Sequence, residues 1–85
     1  MSTPGDAMVT RVRVPKLGET SDVVVVENWL VAVGDRIEAG TPIVSVETDK
    51  AVVDIVSPVA GVLVEILVEV DDEAKTGEHL CVIRE

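Results

Sequence analysis

Short runs of alternating apolar and polar residues fill most of this chain, and turn-forming residues separate them. Six runs read as strands: residues 9–14, 23–33, 42–48, 51–57, 62–70 and 79–84. Turn signals fall at 15–18, 34–35, 39–40, 49–50, 58–61, 71–72 and 76–77. Val and Ile dominate the runs, and a period of two in β-branched residues predicts strands. Residues 24–31 fit helix or strand by hydrophobicity alone; their β-branched content selects strand. Frequent short strands with regular turns predict an all-β sandwich or barrel. Residues 1–7 are small and polar and read as a disordered lead, which leaves residues 8–85 as one domain.

The chain repeats itself. A shift of 37 residues lays 24–48 over 61–85, with Gly40 on Gly77, Asp35 on Asp72, Val33 on Val70 and Leu30 on Leu67. Apolar positions coincide as well: Trp29 with Ile66, Val31 with Val68, Ile43 with Leu80, Val44 with Cys81, Val46 with Ile83. Two similar half-sheets facing each other would bury what neither buries alone. Cys81, by its match to Val44, is expected in the core.

The centre of the chain predicts a hairpin. If Asp49 and Lys50 form a two-residue turn, Thr48 faces Ala51, Glu47 faces Val52, Val46 faces Val53, Ser45 faces Asp54 and Val44 faces Ile55. One face then carries Val44, Val46, Val53 and Ile55; the other carries Ser45, Glu47 and Asp54, with Val52 among them. Two-residue hairpins favour positive φ at both turn positions, which Asp49 tolerates and Lys50 does poorly. A type I turn or a slightly longer loop is the alternative. In every case Lys50 stands at an exposed tip. A lysine there is ordinarily just solvated, and its ammonium form is a weak nucleophile unless an enzyme activates it.

Composition narrows the function. The formal net charge is −9, which disfavours nucleic acid and anionic membrane surfaces and keeps the domain soluble. One cysteine allows no internal disulfide, and one histidine makes no metal site alone. Trp29 is the only aromatic residue and is expected in core or half-buried packing. His79 reads as a surface strand residue, and 71–73 as a solvated acidic turn without calcium spacing. No Ser–His–acid set, phosphate loop or metal-ligand spacing is present. No segment approaches a membrane span, and the start lacks a signal peptide's apolar stretch.

Glu47-Thr48-Asp49-Lys50-Ala51 resembles the lipoylation motif of lipoyl domains, the swinging-arm domains of the acyltransferase (E2) component of 2-oxo acid dehydrogenase complexes. Val14-Pro15-Lys16-Leu17-Gly18-Glu19, Trp29-Leu30, Val33-Gly34-Asp35 and Ser57-Pro58-Val59-Ala60-Gly61 carry the likeness over nearly the whole chain. Residues 23–26 and Asp71-Asp72 depart from it: many relatives have a more polar, glycine-containing strand and a Gly-Asp pair there. The resemblance implies a flattened β-barrel or sandwich of two four-stranded antiparallel sheets with quasi-two-fold symmetry, a barrel-sandwich hybrid. It implies lipoate covalently attached to Lys50, with Asp49 as turn neighbour and Glu47 and Ala51 completing the motif. Leu17, Gly18, Glu19 and Thr20 would lie near the lysine and serve partner recognition.

The function so implied is a non-catalytic carrier of acyl groups and reducing equivalents, within a parent dihydrolipoyllysine-residue acyltransferase. Its partners would be the dehydrogenase (E1), the acyltransferase core (E2), dihydrolipoamide dehydrogenase (E3) and a lipoate-protein ligase or lipoyl transferase. A monomeric domain excised from a longer chain is expected, in the cytoplasm or in a mitochondrial matrix. Three rivals share features with it. A biotin carrier domain usually has methionines on both sides of its lysine, where this chain has Asp49 and Ala51. The glycine-cleavage carrier is longer and partly helical. An unmodified hammerhead assembly domain would leave Lys50 bare.

Overall fold

The computed structural model describes residues 8–16 and 22–85. The lead, residues 1–7, and the recognition candidates Leu17, Gly18, Glu19 and Thr20 lie outside the described residues. Eight strands and no helix are found among the described residues: β1 (Val9–Arg13), β2 (Val23–Trp29), β3 (Arg36–Ile37), β4 (Pro42–Glu47), β5 (Val52–Val56), β6 (Gly61–Ile66), β7 (Glu73–Lys75) and β8 (His79–Arg84). They form two four-stranded antiparallel sheets. Sheet A runs β1-β8-β6-β3 and sheet B runs β5-β4-β2-β7. Among the described residues no strand pairing joins the two sheets, so the barrel is unclosed there and the sandwich description holds.

Six of the eight strands match runs visible in the sequence. The alternation does not reveal β3 and β7, because each buries a single side chain, Ile37 or Ala74. The runs 23–33 and 62–70 overshoot: β2 ends at Trp29 and β6 at Ile66. Beyond those points the chain leaves its sheet, and Leu30, Val33, Leu67 and Val70 are exposed apolar residues of the crossing connections.

The repeat is a register-level symmetry. Under the shift of 37, Val26↔Val46 becomes Leu63↔Ile83 and Trp29↔Val44 becomes Ile66↔Cys81, with the same bulge between. Strands β5 and β1 obey it too, under a shift of 43: Glu47↔Val52 becomes Arg84↔Val9, and Val44↔Ile55 becomes Cys81↔Val12. The two shifts differ by six residues, the extra length of the connection after β1. Leu17, Gly18, Glu19 and Thr20 fall in that extra length.

The crossing turns are built twice in one way. Asp35 Oδ2 accepts from Ala32 N–H at 2.9 Å, and Asp72 Oδ2 accepts from Glu69 N–H at 2.9 Å. Asp72 is therefore a turn-closing residue and not merely a solvated charge. Gly34 has φ 98° and its counterpart Asp71 has φ 76°, the only left-handed non-glycine among the described residues. The sequence thus departs from Gly-Asp where the backbone favours glycine, and aspartate is among the few residues that accept the conformation.

Fifteen buried residues from both sheets make one aliphatic core, including Val26, Ile43, Val46, Leu63, Leu80 and Ile83. Cys81 is fully buried in it, and burial pushes its thiol from 9.0 up to about 11. Reagents that attack the thiolate should therefore leave the native protein unlabelled at pH 8 and label it after unfolding. The folded thiol holds its proton to higher pH than the unfolded one. This stability is complete below about pH 9 and declines as pH rises toward about 11. A plateau in urea midpoint across that window, in a titration of wild type against Cys81→Ala, would contradict the assignment.

Candidate functional site

Strands β4 and β5 form the hairpin that the side-chain alternation predicts. Ser45 pairs Asp54, Val46 pairs Val53 and Glu47 pairs Val52, in the expected register. Val44, Val46 and Ile55 are buried, and Val53 is half-buried. Ile43 is buried as well, because the register shifts between Pro42 and Val44. A buried inner face against an exposed outer one locks the register, since a slip of one residue would turn every apolar side chain to water.

The tip is Asp49-Lys50, and both residues are exposed. Neither has positive φ, which excludes the mirror-image two-residue turn. Thr48 supplies the alternative. Its N–H and its hydroxyl both donate to the Ala51 carbonyl at 2.8 Å. Its Oγ1 in turn accepts from the Lys50 N–H at 3.2 Å and the Ala51 N–H at 3.1 Å. One hydroxyl therefore ties three backbone groups of a turn that lacks glycine. Thr48 lies within the motif, and the apolar alternation gives no sign of this role; its signal is a hydroxyl residue immediately before a turn.

Thr48→Ala should cost about 1 kcal/mol of stability and speed amide exchange at residues 50 and 51. Thr48→Ser should retain both. Equal exchange in the alanine and serine variants would show that the hydroxyl does not hold the tip.

The remaining sequence-predicted residues fall into place around this turn. Glu47 and Ala51 flank it and are exposed. Asp54, further down β5, accepts a hydrogen bond from Ser45 Oγ at 2.7 Å. Trp29 is half-buried, and its indole N–H donates to the Val68 carbonyl at 2.9 Å, tying the end of β2 to the connection after β6. His79 lies half-buried in β8, where its Nε2 accepts from Arg13 Nε–H at 3.3 Å. Neither residue is gathered at the tip. No group of His, Cys, Asp and Glu suited to a metal ion occurs among the described residues. Of the other lysines, Lys75 lies within strand β7 and Lys16 just after β1. Lys50 alone crowns a two-residue turn, where a linear group on its amine can extend without meeting the sandwich.

A model of the biotin/lipoyl family, described as biotin-requiring enzyme, matches residues 10–83. This chain belongs to the biotin/lipoyl family. Over 68 residues it is 46% identical to the dihydrolipoyllysine-residue acetyltransferase component of the pyruvate dehydrogenase complex of Corynebacterium glutamicum, covering 80% of this chain and 10% of that protein. Over 74 residues it is 40% identical to the dihydrolipoyllysine-residue succinyltransferase component of the 2-oxoglutarate dehydrogenase complex of Staphylococcus saprophyticus, covering 87% of this chain and 18% of that protein. The chain thus spans less than a fifth of the length of either relative. The solution structure of the lipoyl domain of the 2-oxoglutarate dehydrogenase complex from Azotobacter vinelandii superposes with a TM-score of 0.72. It is 28% identical, and the match covers 88% of this chain and 95% of that one. The biotin/lipoyl fold accounts for the paired sheets, their quasi-two-fold and the exposed hairpin between the two halves.

Proposed function

We propose that the domain is a lipoyl carrier whose attachment site is the Lys50 amine. The observation that carries this reading is the position of Lys50 at the apex of a register-locked hairpin, exposed and set by the Thr48 turn. Lipoate, when amide-linked there, supplies a disulfide that takes up an acyl group and two electrons. The chain's own residues hold and present. The hairpin fixes where Nζ points, and the amide removes the lysine charge before the arm enters an apolar channel. Glu47, beside the tip, favours partners with basic surfaces around their active-site mouths. Tethering keeps the carried group at high effective concentration among the partner sites. The domain needs no base or nucleophile of its own for this task.

The parent protein on this reading is a dihydrolipoyllysine-residue acyltransferase of a 2-oxo acid dehydrogenase complex, in the cytoplasm or a mitochondrial matrix. Its partners are the E1 dehydrogenase, the E2 core, the E3 flavoprotein and a lipoylating enzyme. The relatives named for dihydrolipoyllysine support lipoate over biotin, as do the Asp49 and Ala51 flanks. Co-expression with a lipoate-protein ligase, followed by intact-mass and peptide mapping, tests it. A lipoyl increment on the peptide containing Lys50 is expected, followed by reductive acylation with a 2-oxo acid and its E1. A biotinyl increment, or no increment in lipoate-fed cells, would overturn the proposal.

A further inference from the structure

The quasi-two-fold relates two sheets of opposite charge. One cross-strand row of sheet A reads Val9, Arg84, Val62, Arg36. The equivalent row of sheet B reads Val52, Glu47, Val25, Glu73. The valines coincide and each arginine is answered by a glutamate. Arg11 on β1 likewise corresponds to Asp54 on β5. The strands of sheet A carry four of the chain's seven Lys and Arg residues, against one acid, Glu65. Those of sheet B carry Glu27, Glu47, Asp54 and Glu73 against Lys75. The same backbone and pairing tolerate either sign, so the fold does not require the arginines. Arg11, Arg36 and Arg84 are exposed, and none forms a side-chain ion pair with another described residue.

Position adds to charge. Glu47 and its row sit beside the tip. The chain leaves the other end of β2 and reaches Arg36 through residues 30–35 alone, which places the arginine row at the end of the sandwich remote from Lys50. Beside it, between the edge strands β1 and β5, lies an open groove of about 480 Å³. Arg11 and Arg13 line it on the β1 side and Asp54, whose carboxylate accepts from Ser45 Oγ, on the β5 side, over an apolar floor that includes Val12, Val56, Pro15 and Pro58.

We propose that the outer face of sheet A, with this groove, docks an acidic, partly apolar protein segment. Arginines alternating with valines match carboxylates alternating with small apolar side chains. The overall charge of −9 repels any polyanion at long range, and it does so more as the ligand's charge grows, so a short segment with a few carboxylates reaches the local positive field where a long phosphate polymer is held off. Docking there leaves Lys50 free, so one copy can be held by one partner while its tip serves another.

The test uses the 85-residue protein, isotope-labelled, and a short synthetic peptide of glutamates around a leucine pair at low ionic strength. Amide shifts should be confined to β1, β8, β6 and β3 and to the groove wall at residues 54–58, and binding should weaken about tenfold or more toward physiological salt. The combined variant Arg11→Asp, Arg36→Glu, Arg84→Glu installs the residue found at each counterpart position, so its dispersed spectrum reports an intact fold. That variant should lose binding, and the three lysine replacements should retain it. Shifts on β4, β2 or β7 or at the tip, or undiminished binding by the reversed variant, would overturn the proposal. So would tighter binding of an oligonucleotide to this face, or sedimentation showing that the occupant is a second copy of the chain.

Discussion

Moving the lysine one place along the turn should abolish modification and leave the protein folded. Two double variants make the move: Lys50→Ala with Asp49→Lys, and Lys50→Ala with Ala51→Lys. The expectation rests on geometry. Asp49 and Lys50 are both at the tip, and the Lys50 and Ala51 N–H groups are held on Thr48 Oγ1, at 3.2 and 3.1 Å, so the backbone from which each of these two side chains departs is fixed. Ala51 is the last residue before β5 and its carbonyl closes the turn onto Thr48, so a lysine there leaves from the strand end and not from the apex. A lysine at 49 leaves from the other side of the apex. On the proposed function a lipoylating enzyme must bring Nζ into its own active site, and a misplacement of about 1 Å can cost about a hundredfold in rate. A shift of a whole residue is about three times that distance. Both substituted sites are solvent-exposed, so stability should change by about 0.5 kcal/mol or less. Intact mass after co-expression reads the outcome, with far-ultraviolet circular dichroism as the fold control. Complete lipoylation of either shifted variant would mean that the enzyme reads an accessible lysine and not the turn.

That prediction needed only the sequence for its register. Runs with a buried face announce themselves: alternation of Val44, Val46, Val53 and Ile55 against Ser45, Glu47 and Asp54 fixes the two faces, and a two-residue turn at Asp49-Lys50 then fixes the pairing. The structure contains that pairing residue for residue. The repeat was legible for the same reason: its equivalent residues share environments, so Cys81 could be placed in the core through Val44. Three features were not legible. Strands β3 and β7 are too short to show a period. The tip's hydrogen bonds come from a threonine side chain, and the alternation is silent about side chain to backbone bonds. The same is true of Asp35 and Asp72, whose turn-closing role is written in two matched hydrogen bonds and in no hydrophobic pattern. The charge inversion between the sheets was present in the sequence, but it means nothing until cross-strand partners are known.

Gly61→Ala should be the most damaging of the small substitutions. Gly61 begins β6, and a Cβ built there would lie 2.8 Å from Ile83 Cγ2 and 2.9 Å from the Arg84 carbonyl carbon, and closer still to the Arg84 carbonyl oxygen. The obstacle is mostly backbone, which cannot swing aside as a flexible side chain can. Overpacking usually costs about 1–3 kcal/mol, and a clash with a paired strand should fall at or beyond the upper end. For a domain of this size that corresponds to a fall in Tm of roughly 15 °C. The symmetry says why the glycine is needed here and not at its counterpart, Val24. Val24 faces Ala74 across β2 and β7, and Gly61 faces Ile37 across β6 and β3. Each half pairs one large and one small residue, but the large one has changed strands. In sheet B the bulk sits on β2, and in sheet A it sits on the edge strand β3, so β6 and β8 close over a residue with no side chain. Val24→Ala, which removes bulk without a clash, should cost about 1–2 kcal/mol. Thermal or urea unfolding of the two variants compares them directly. Equal midpoints would show that the β6–β8 ladder can open at Gly61, and that the exchange of bulk between the halves carries no packing constraint.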